Sequence, residues 1–471
     1  MSQRCANTLT HALAATIVLV VMAPMSARAT ETQAANAPQS SVTPEPSPAP
    51  YSSEEPKPDL LDGTLSAKGE LEADELLTEA AAPSNPLLAA KKSFEERSGI
   101  TFGMAGGVLY QNFSNPTLLQ NQFQAVGGKF SFDLNAPLAN RDKPNALTFD
   151  MAVEARGPLA SDFPPLQAGV LAGSGVPTAA TWGEFNIGVT QAYIRQSLAG
   201  NKFQYTVGKI FAPNYVDAYP LFDDNRQFLN LAFSTNPTIA VPLRGFGFVG
   251  AGFPGSGNLY LTGGMFTANS SDTGSTIGDF FSRNEHFYFL EVGQTSFARA
   301  GFPIQGRGAF DRNNIHVTLW YRDALTARGP GDAFLRPAPE AYGAAFNMNQ
   351  AVGESILWFL RAGIGKGSFF GTGAIASGFA WRPTYAPRDL FGFAVGWTNP
   401  QPPLVDPLPI PAPFPISVPN LRSQGTGEIF YRIALIPNFA LTPDYELLIH
   451  PSLAPSRGSI SVFSLRGRLT L

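Results

Sequence analysis

The stretch from Gly458 to Leu471, GSISVFSLRGRLTL, decides how the rest of the chain is read. Phe463, Leu465, Gly467, Leu469 and Leu471 fall on one side of an alternation, and Ser464, Arg466, Arg468 and Thr470 on the other. A period of two is the pattern of a strand, because successive side chains leave a pleated backbone on opposite faces. Arginines set between apolar residues suit a strand that meets lipid with one face and water with the other, as in a membrane β-barrel.

The same pattern recurs upstream. Runs of alternation bounded by turn residues predict strands near residues 100–112, 123–134, 146–157, 184–197, 202–211, 240–252, 257–267 and 285–297. They continue near 312–323, 340–350, 354–366, 372–383, 390–398, 424–435, 440–449 and 458–471. The fold expected is all-β: a transmembrane antiparallel up-and-down barrel of about 16 strands with a short N-terminal helix.

Connection lengths test this count. With both termini in the periplasm, odd-numbered strands lead outward, and long outward loops alternate with short inward turns. Gaps at 158–183, 212–239, 268–284, 324–339 and 399–423 are long and outward, whereas 198–201, 253–256, 351–353, 384–389 and 436–439 are short and inward. The exceptions are 135–145 and 298–311, longer inward turns, and 367–371 and 451–457, short outward loops.

Several strands assign their faces from parity. Leu147, Phe149, Met151 and Val153 face lipid, leaving Asp150, Glu154 and Arg156 to the lumen. Ile315, Val317, Leu319 and Tyr321 go outward, with His316, Trp320 and Arg322 inside; Ile429, Tyr431, Ile433 and Leu435 go outward, with Glu428 and Arg432 inside. Lys209 shares a phase with Phe203, Tyr205 and Val207, which puts it at the rim or after a bulge.

Composition agrees. Charged residues make up 14% of the chain, against roughly 25% in ordinary soluble proteins, while aromatics reach 12%. No run of 18 or more apolar residues follows the N-terminus, so any membrane crossing requires a closed barrel.

The N-terminus reads as a signal peptide over residues 1–29. Arg4 gives a positive start, Leu13 to Val21 an apolar core, and Ala27-Arg28-Ala29 a small-x-small cleavage pattern. Cleavage removes Arg4 and Arg28 and no acid, taking Lys plus Arg from 32 to 30 against 36 Asp plus Glu, and the net charge from -4 to -6. A mildly acidic chain without a basic block does not suit nucleic acid. Cys5 leaves with the signal, so the mature chain lacks a thiol for disulfides, zinc or nucleophilic catalysis.

Residues 30–85, rich in Pro, Ala, Ser and Glu, read as a disordered periplasmic segment, in which Leu65 to Ala82 is either a linker or a short helix. Residues 86–98 read as a helix with Asn85 as N-cap and Gly99 as terminator, opening a barrel domain over 86–471.

Two nucleotide-like patterns are decoys. Gly245-Phe-Gly247-Phe-Val-Gly250 matches a dinucleotide fingerprint but opens no helix, so its glycines read as strand packing. Gly363-Ile-Gly365-Lys366-Gly367-Ser368 resembles a phosphate loop without the strand-loop-helix context. The histidines remaining after cleavage, His286, His316 and His450, lie on different segments, and no ligand spacing suggests a metal. The chain is therefore expected to be no enzyme and to carry no cofactor.

What remains is a lumen of mixed charge. Arg195, Arg322, Arg361, Arg382, Arg388, Arg432, Arg466 and Arg468 can meet Asp150, Glu154, Glu291, Asp389, Glu428, Asp444 and Glu446 across it. Both signs facing each other supply hydrogen bonds without selecting net charge, which suits neutral polyols. The candidate pore-lining contacts are Arg361, Arg432, Glu428, Glu446, Arg322, Trp320, Glu291 and Asp217. The alternative for each is a residue that only solvates and braces the wall. The loop at 212–239, with Asp217, Tyr219, Phe222, Asp223, Asp224 and Arg226, either folds inward and sets the bore or stays exposed.

These residues carry a resemblance to the carbohydrate-selective porins of Gram-negative outer membranes. Matching stretches are Phe94-Glu95-Glu96-Arg97-Ser98-Gly99-Ile100-Thr101-Phe102, Val207-Gly208-Lys209 followed by Asp217, Arg388-Asp389-Leu390-Phe391-Gly392 and Glu428-Ile429-Phe430-Tyr431. The ending, from Leu441-Thr442-Pro443 through Ile449-His450-Pro451 to Leu465-Arg466-Gly467, is also similar. Coverage runs from about Pro86 to the end; departures are Tyr445-Glu446-Leu447, Leu471 in place of a terminal aromatic, and the long loop at 399–423. The resemblance implies a sixteen-stranded barrel for passive uptake of mono- and oligosaccharides, with charged residues at the constriction. The partners expected are sugars, outer-membrane lipid and the barrel assembly machinery, the last through strand 458–471. A general size-selective porin is the alternative, followed by a structural tether or a hydrolase.

Overall fold

Every strand expected from alternation is formed, most with ends within two residues of those read from the sequence. The computed structural model describes residues 59–61, 65–71, 86–116, 121–141, 143, 145–269, 271–297, 312–326, 338–353, 355–401 and 421–471. Among these, the helix Pro86–Ser98 (α1) leads into strands Thr101–Phe113 (β1), Gln124–Ala139 (β2), Leu147–Pro158 (β3), Phe185–Leu198 (β4), Phe203–Phe211 (β5) and Arg244–Gly252 (β6). There follow Leu259–Thr267 (β7), His286–Phe297 (β8), Arg312–Arg322 (β9), Ala341–Val352 (β10) and Ile356–Lys366 (β11). The last are Gly371–Trp381 (β12), Leu390–Pro400 (β13), Gln424–Ile436 (β14), Phe439–Ile449 (β15) and Ser459–Thr470 (β16). Short helices interrupt the loops: Pro165–Ala172 (α2), Leu231–Ser234 (α3) and Ile277–Ser282 (α4).

Each strand pairs antiparallel with its neighbours in sequence, and β1 closes the barrel against β16, from Ala105 opposite Thr470 to Phe113 opposite Val462. Closure removes the sheet edges that would otherwise carry unpaired backbone groups. The faces follow parity. On β16, Phe463 is 47% exposed and Arg466 only 1%. Asp150, Glu154, Arg156, His316, Trp320, Arg322, Glu428 and Arg432 all point away from the outer surface, while Ile315, Val317, Leu319, Tyr321, Ile429 and Leu435 lie exposed on it.

Strand β5 changes phase at Gly208, while its register against β4 and β6 runs through unbroken, so no bulge is needed to turn Lys209. Gly208 has φ +144°, and a Cβ there would stand 2.5 Å from the Ala192 carbonyl oxygen, so the site excludes side chains. The shift turns Lys209 inward, where its Nζ donates to the carbonyls of Val189 (2.7 Å) and Asp272 (2.8 Å).

Two boundaries differ. Strand β2 runs on to Ala139, shortening the inward turn expected at 135–145. Strand β6 starts at Arg244 rather than 240, because Pro242 has no N–H to give a ladder and residues 240–243 belong to the preceding loop. Gly99, with φ +74°, ends α1 and donates to the Glu95 carbonyl (2.7 Å).

The segment 30–85, expected to be disordered, needs a correction at the residues described. Leu61, Leu65, Ala67, Glu70 and Leu71 are buried within the barrel unit, and 67–71 form a helical turn. Their leucines and acids find partners on the inner wall that composition alone does not reveal. The signal peptide, the Asn85 cap, Leu76, Leu77 and the proline-rich part of the loop at 399–423 lie outside the described residues.

Candidate functional site

Loop 212–243 folds into the lumen and lies along the inner face of β11 to β14. Its apolar side chains Tyr219, Leu221, Phe222, Phe228, Leu231 and Phe233 pack against Leu357, Phe359, Leu390 and Phe430 of the wall. Phe228 meets Phe430 edge-on at 5.0 Å and Phe359 at 5.9 Å, geometries that favour aromatic pairs beyond their buried area. Room for the loop backbone comes from the wall's glycines: a Cβ on Gly363 would stand 2.1 Å from Thr238 Oγ1, and one on Gly365 2.5 Å from the Thr238 carbonyl oxygen. The phosphate-loop decoy is thus a landing strip for this loop.

Charges complete the docking. Arg361 donates to the Asp217 carboxylate (2.5 Å) and carbonyl (2.9 Å) and lies over the Tyr219 ring at 4.2 Å. Asp217 sits at φ +52° and also faces His316 Nε2 (3.1 Å), while its N–H donates to Glu291 (3.2 Å). Burial alone would raise the Asp217 pKa; Arg361, with His316, outweighs it and holds the carboxyl below its ordinary value. Glu428 accepts from the N–H groups of Leu229 (2.6 Å) and Asn230 (2.9 Å), and Glu446 from Thr178 (2.6 Å) and the Asn230 amide (2.7 Å). Arg466 donates to the carbonyls of Asp224 (2.6 Å) and Gln227 (2.9 Å).

Loop 159–184 joins from the other side. Helix α2 has Pro165 in its first turn and ends at Gly173 with φ +115°. Beyond it, Thr178 and Asn230 form a short antiparallel bridge between the two loops, and Thr181 donates to the Asp224 carboxylate. Burial pushes the Asp224 carboxyl up despite nearby Lys129 and these Thr181 bonds.

A cavity of about 300 Å³ lies between these loops and the wall. Its lining mixes the charged or acidic Arg156, Arg244, Asp224, Asp272 and Glu184 with the apolar Phe211, Phe222, Leu166, Leu231 and Phe370. Arg244 bridges Asp272 (2.7 Å) and Glu154 (3.1 Å), and Arg156 bridges Glu154 (3.2 Å) and Asp272 (3.5 Å). Burial opposes charge on Asp272, yet Arg156 and Arg244 outweigh it and lower its pKa. The two guanidiniums also stack on rings, Arg156 on Phe185 at 4.3 Å and Arg244 on Phe211 at 4.6 Å, which fixes their planes. Deeper in, a small polar pocket is lined by Lys129, Glu154, Gln191, Asn225, Glu70 and Arg468; Leu65, Thr181 and Arg244 border both spaces.

The eight residues expected to contact solute all face inward but border neither space. Arg361, Asp217, Glu291, Glu428 and Glu446 hold the loops. Arg432 donates to the Arg388 carbonyl (2.9 Å), and Arg322 to the Pro339 carbonyl (2.8 Å) while covering the Phe369 ring. Trp320 stacks on Phe287 at 6.2 Å and is packed over Gly343 and Gly365, closed to a sugar face. Of the cavity charges, parity had placed Arg156 and Glu154 in the lumen; Lys129, Arg244, Asp272 and Glu184 were not singled out. Lys129 shares the lumen phase with Ser131 and Asp133, a signal present in the sequence.

Comparison with known proteins places the fold. OprB of Pseudomonas putida in its high-pH structure is 12% identical, with a TM-score of 0.62, covering 81% of this chain and 97% of that one. A mutant porin of Rh. blastica covers 79% of this chain and 100% of its own at 7% identity and a TM-score of 0.45. Among curated proteins, Porin AaxA of Chlamydia pneumoniae is 42% identical over 50 residues, 11% of each chain, so the match spans about a tenth of that relative's length. No family model matches. The chain has a porin-type fold, a closed antiparallel barrel of sixteen strands.

Proposed function

We propose that this barrel is a Gram-negative outer-membrane porin through which saccharides diffuse passively, a channel and not an enzyme. The observation that carries the reading is the mixed lining of the cavity: ionic hydrogen-bonding groups at Arg156, Arg244, Asp272 and Asp224 stand among the apolar Phe211, Phe222, Leu166 and Leu231. A sugar ring offers hydroxyls at its rim and C–H groups on its faces, and this pairing satisfies both. Cation and carboxylate alternate in the cluster, so it binds polyols without demanding a charge on them. In this reading the eight inward residues set the bore by holding loops, not by touching solute. OprB, a structural neighbour, and the matching stretches noted above support the same direction.

The reading places the amino-terminal segment and the short turns in the periplasm, with residues 1–29 removed as a signal peptide and strand β16 presented to the barrel assembly machinery. Single-channel current in a planar bilayer, with glucose or maltooligosaccharides titrated in, tests it. Saturable closure by sugar supports a saccharide-selective channel; a current that sugars leave unchanged supports a general size-selective porin instead.

A further inference from the structure

We infer that the described amino-terminal residues, 59–61 and 65–71, form a plug that closes the bore from the short-turn end and withdraws when solute passes. The inference rests on reading the barrel as a pore. Both ends of the segment sit low on the wall. Asp59 pairs with Arg195 and the Leu60 N–H donates to Gln204 Oε1 (2.8 Å), near the β4–β5 turn; Leu71 lies over Gly103, near the start of β1. Between them Leu65 rises to the neck that separates the outer cavity from the polar pocket. There its N–H donates to Asn214 of loop 212–243 (3.1 Å) and its carbonyl accepts from Gln191 (2.8 Å), while its side chain joins the cluster of Phe211 and Phe222. Leu65 thus stands, with Thr181 and Arg244, where the two described spaces adjoin.

The segment's contacts are those of a removable part. Apolar burial is limited to Leu61, Leu65, Ala67 and Leu71, and much of the remainder is ionic or hydrogen-bonded. Glu70 is the latch, pairing with Arg226 (2.7 Å) and Arg468 (2.8 Å) beside Asn225. Withdrawal exchanges these bonds for water: Arg226 keeps its pair with Asp223 (2.5 Å), while Arg195 and Arg468 give up Asp59 and Glu70 to the water that replaces the plug. The wall beneath the plug is polar, with Lys129, Ser131, Asp133 and Gln191, as suits a surface that is periodically wet.

The test compares bilayer currents of the full chain and of a chain lacking residues 59–71. The expected result is an open current several-fold larger and few closures in the deletion. Should the deletion not assemble, a Cys5→Ser chain carrying Leu71→Cys and Gly103→Cys, bridged by a reducible bis-methanethiosulfonate, decides: bridging should hold the current at its low level and reduction should restore openings. Equal currents with and without the segment, or a bridge that changes nothing, would overturn the plug. Sugar block that is the same in both chains at equal current leaves the saccharide reading standing and the plug refuted. A larger current in the deletion that no sugar blocks leaves the plug standing and the saccharide reading refuted.

Discussion

Arg361 on β11 and Asp217 on the loop after β5 meet at 2.5 Å with both side chains almost fully buried, and this pair ties the inward loop to the far wall. The two residues lie 144 apart in sequence. Removing one partner of a buried pair leaves the other charge uncompensated, at a cost of about 3–5 kcal/mol. Arg361→Ala should therefore free loop 212–243 while the barrel stays closed. The expected outcome is a larger open current and new protease cleavage within the loop, with unchanged heat-modified migration of the barrel. Arg361→Lys should recover only part, since a lysine cannot reach the Asp217 carboxylate and the Asp217 and Phe233 carbonyls together.

Gly365 lies under the same loop. Gly365→Ala places a methyl 2.5 Å from the Thr238 carbonyl oxygen and 2.8 Å from the Trp320 ring. Overpacking of this kind costs about 1–3 kcal/mol. The variant should raise the open current less than Arg361→Ala does; an unchanged current would mean that the loop end does not limit the bore.

The docked state should resist mild acid. The Asp217 pKa is depressed, so its contribution is present above the unfolded carboxyl value, about 3.9, and is lost only as pH falls through the lower folded value. The groups facing it are Arg361, His316 and Glu291. The full chain's current should rise as pH falls below about 4, and in the Asp217→Asn variant that rise should shrink. Identical pH profiles in the two proteins would remove Asp217 from the acid response.

The left-handed backbone at Gly208 is a stability element. Gly208→Ala puts a side chain at φ +144° against the Ala192 carbonyl, a conformation costing about 1–3 kcal/mol before any clash. The midpoint of heat-induced barrel opening on a gel should fall.

Lipid and lumen faces of β16 should differ in how their response to charge depends on the bilayer. Leu465→Arg on the outward face costs about 2–4 kcal/mol if it lies near the bilayer midplane. Folding yield into lipid vesicles should drop for Leu465→Arg and hold for Ser464→Arg only if the lumen has room; Ser464 bonds Gln111 and is fully buried, so it too should lose some yield, but without vesicle dependence.

Strands and faces were legible because a closed barrel imposes period two on every wall segment, and lipid punishes exceptions. The interior was less so. Leu357 and Phe359 share the phase of Arg361, apolar residues where water was expected, and Gly363 and Gly365 follow them; together they mark a docked loop, but only tertiary packing names its partner. The candidate charges were rightly placed inward, yet parity cannot tell a residue that meets solute from one that meets a loop. The plug segment was read as linker because its three buried leucines and one glutamate, next to a proline-rich stretch, gain their value from partners such as Gln191, Arg226 and Arg468, far off in sequence.

The most direct measurement is sugar block of the open-level current in the full chain and in an Arg156→Ala, Arg244→Ala double variant. Saturable block in the first, weakened roughly tenfold or more in the second, equivalent to about 1.4 kcal/mol, is the predicted result. Equal block in both would place sugar binding elsewhere, and an open current that no sugar reduces in either would contradict a saccharide-selective channel.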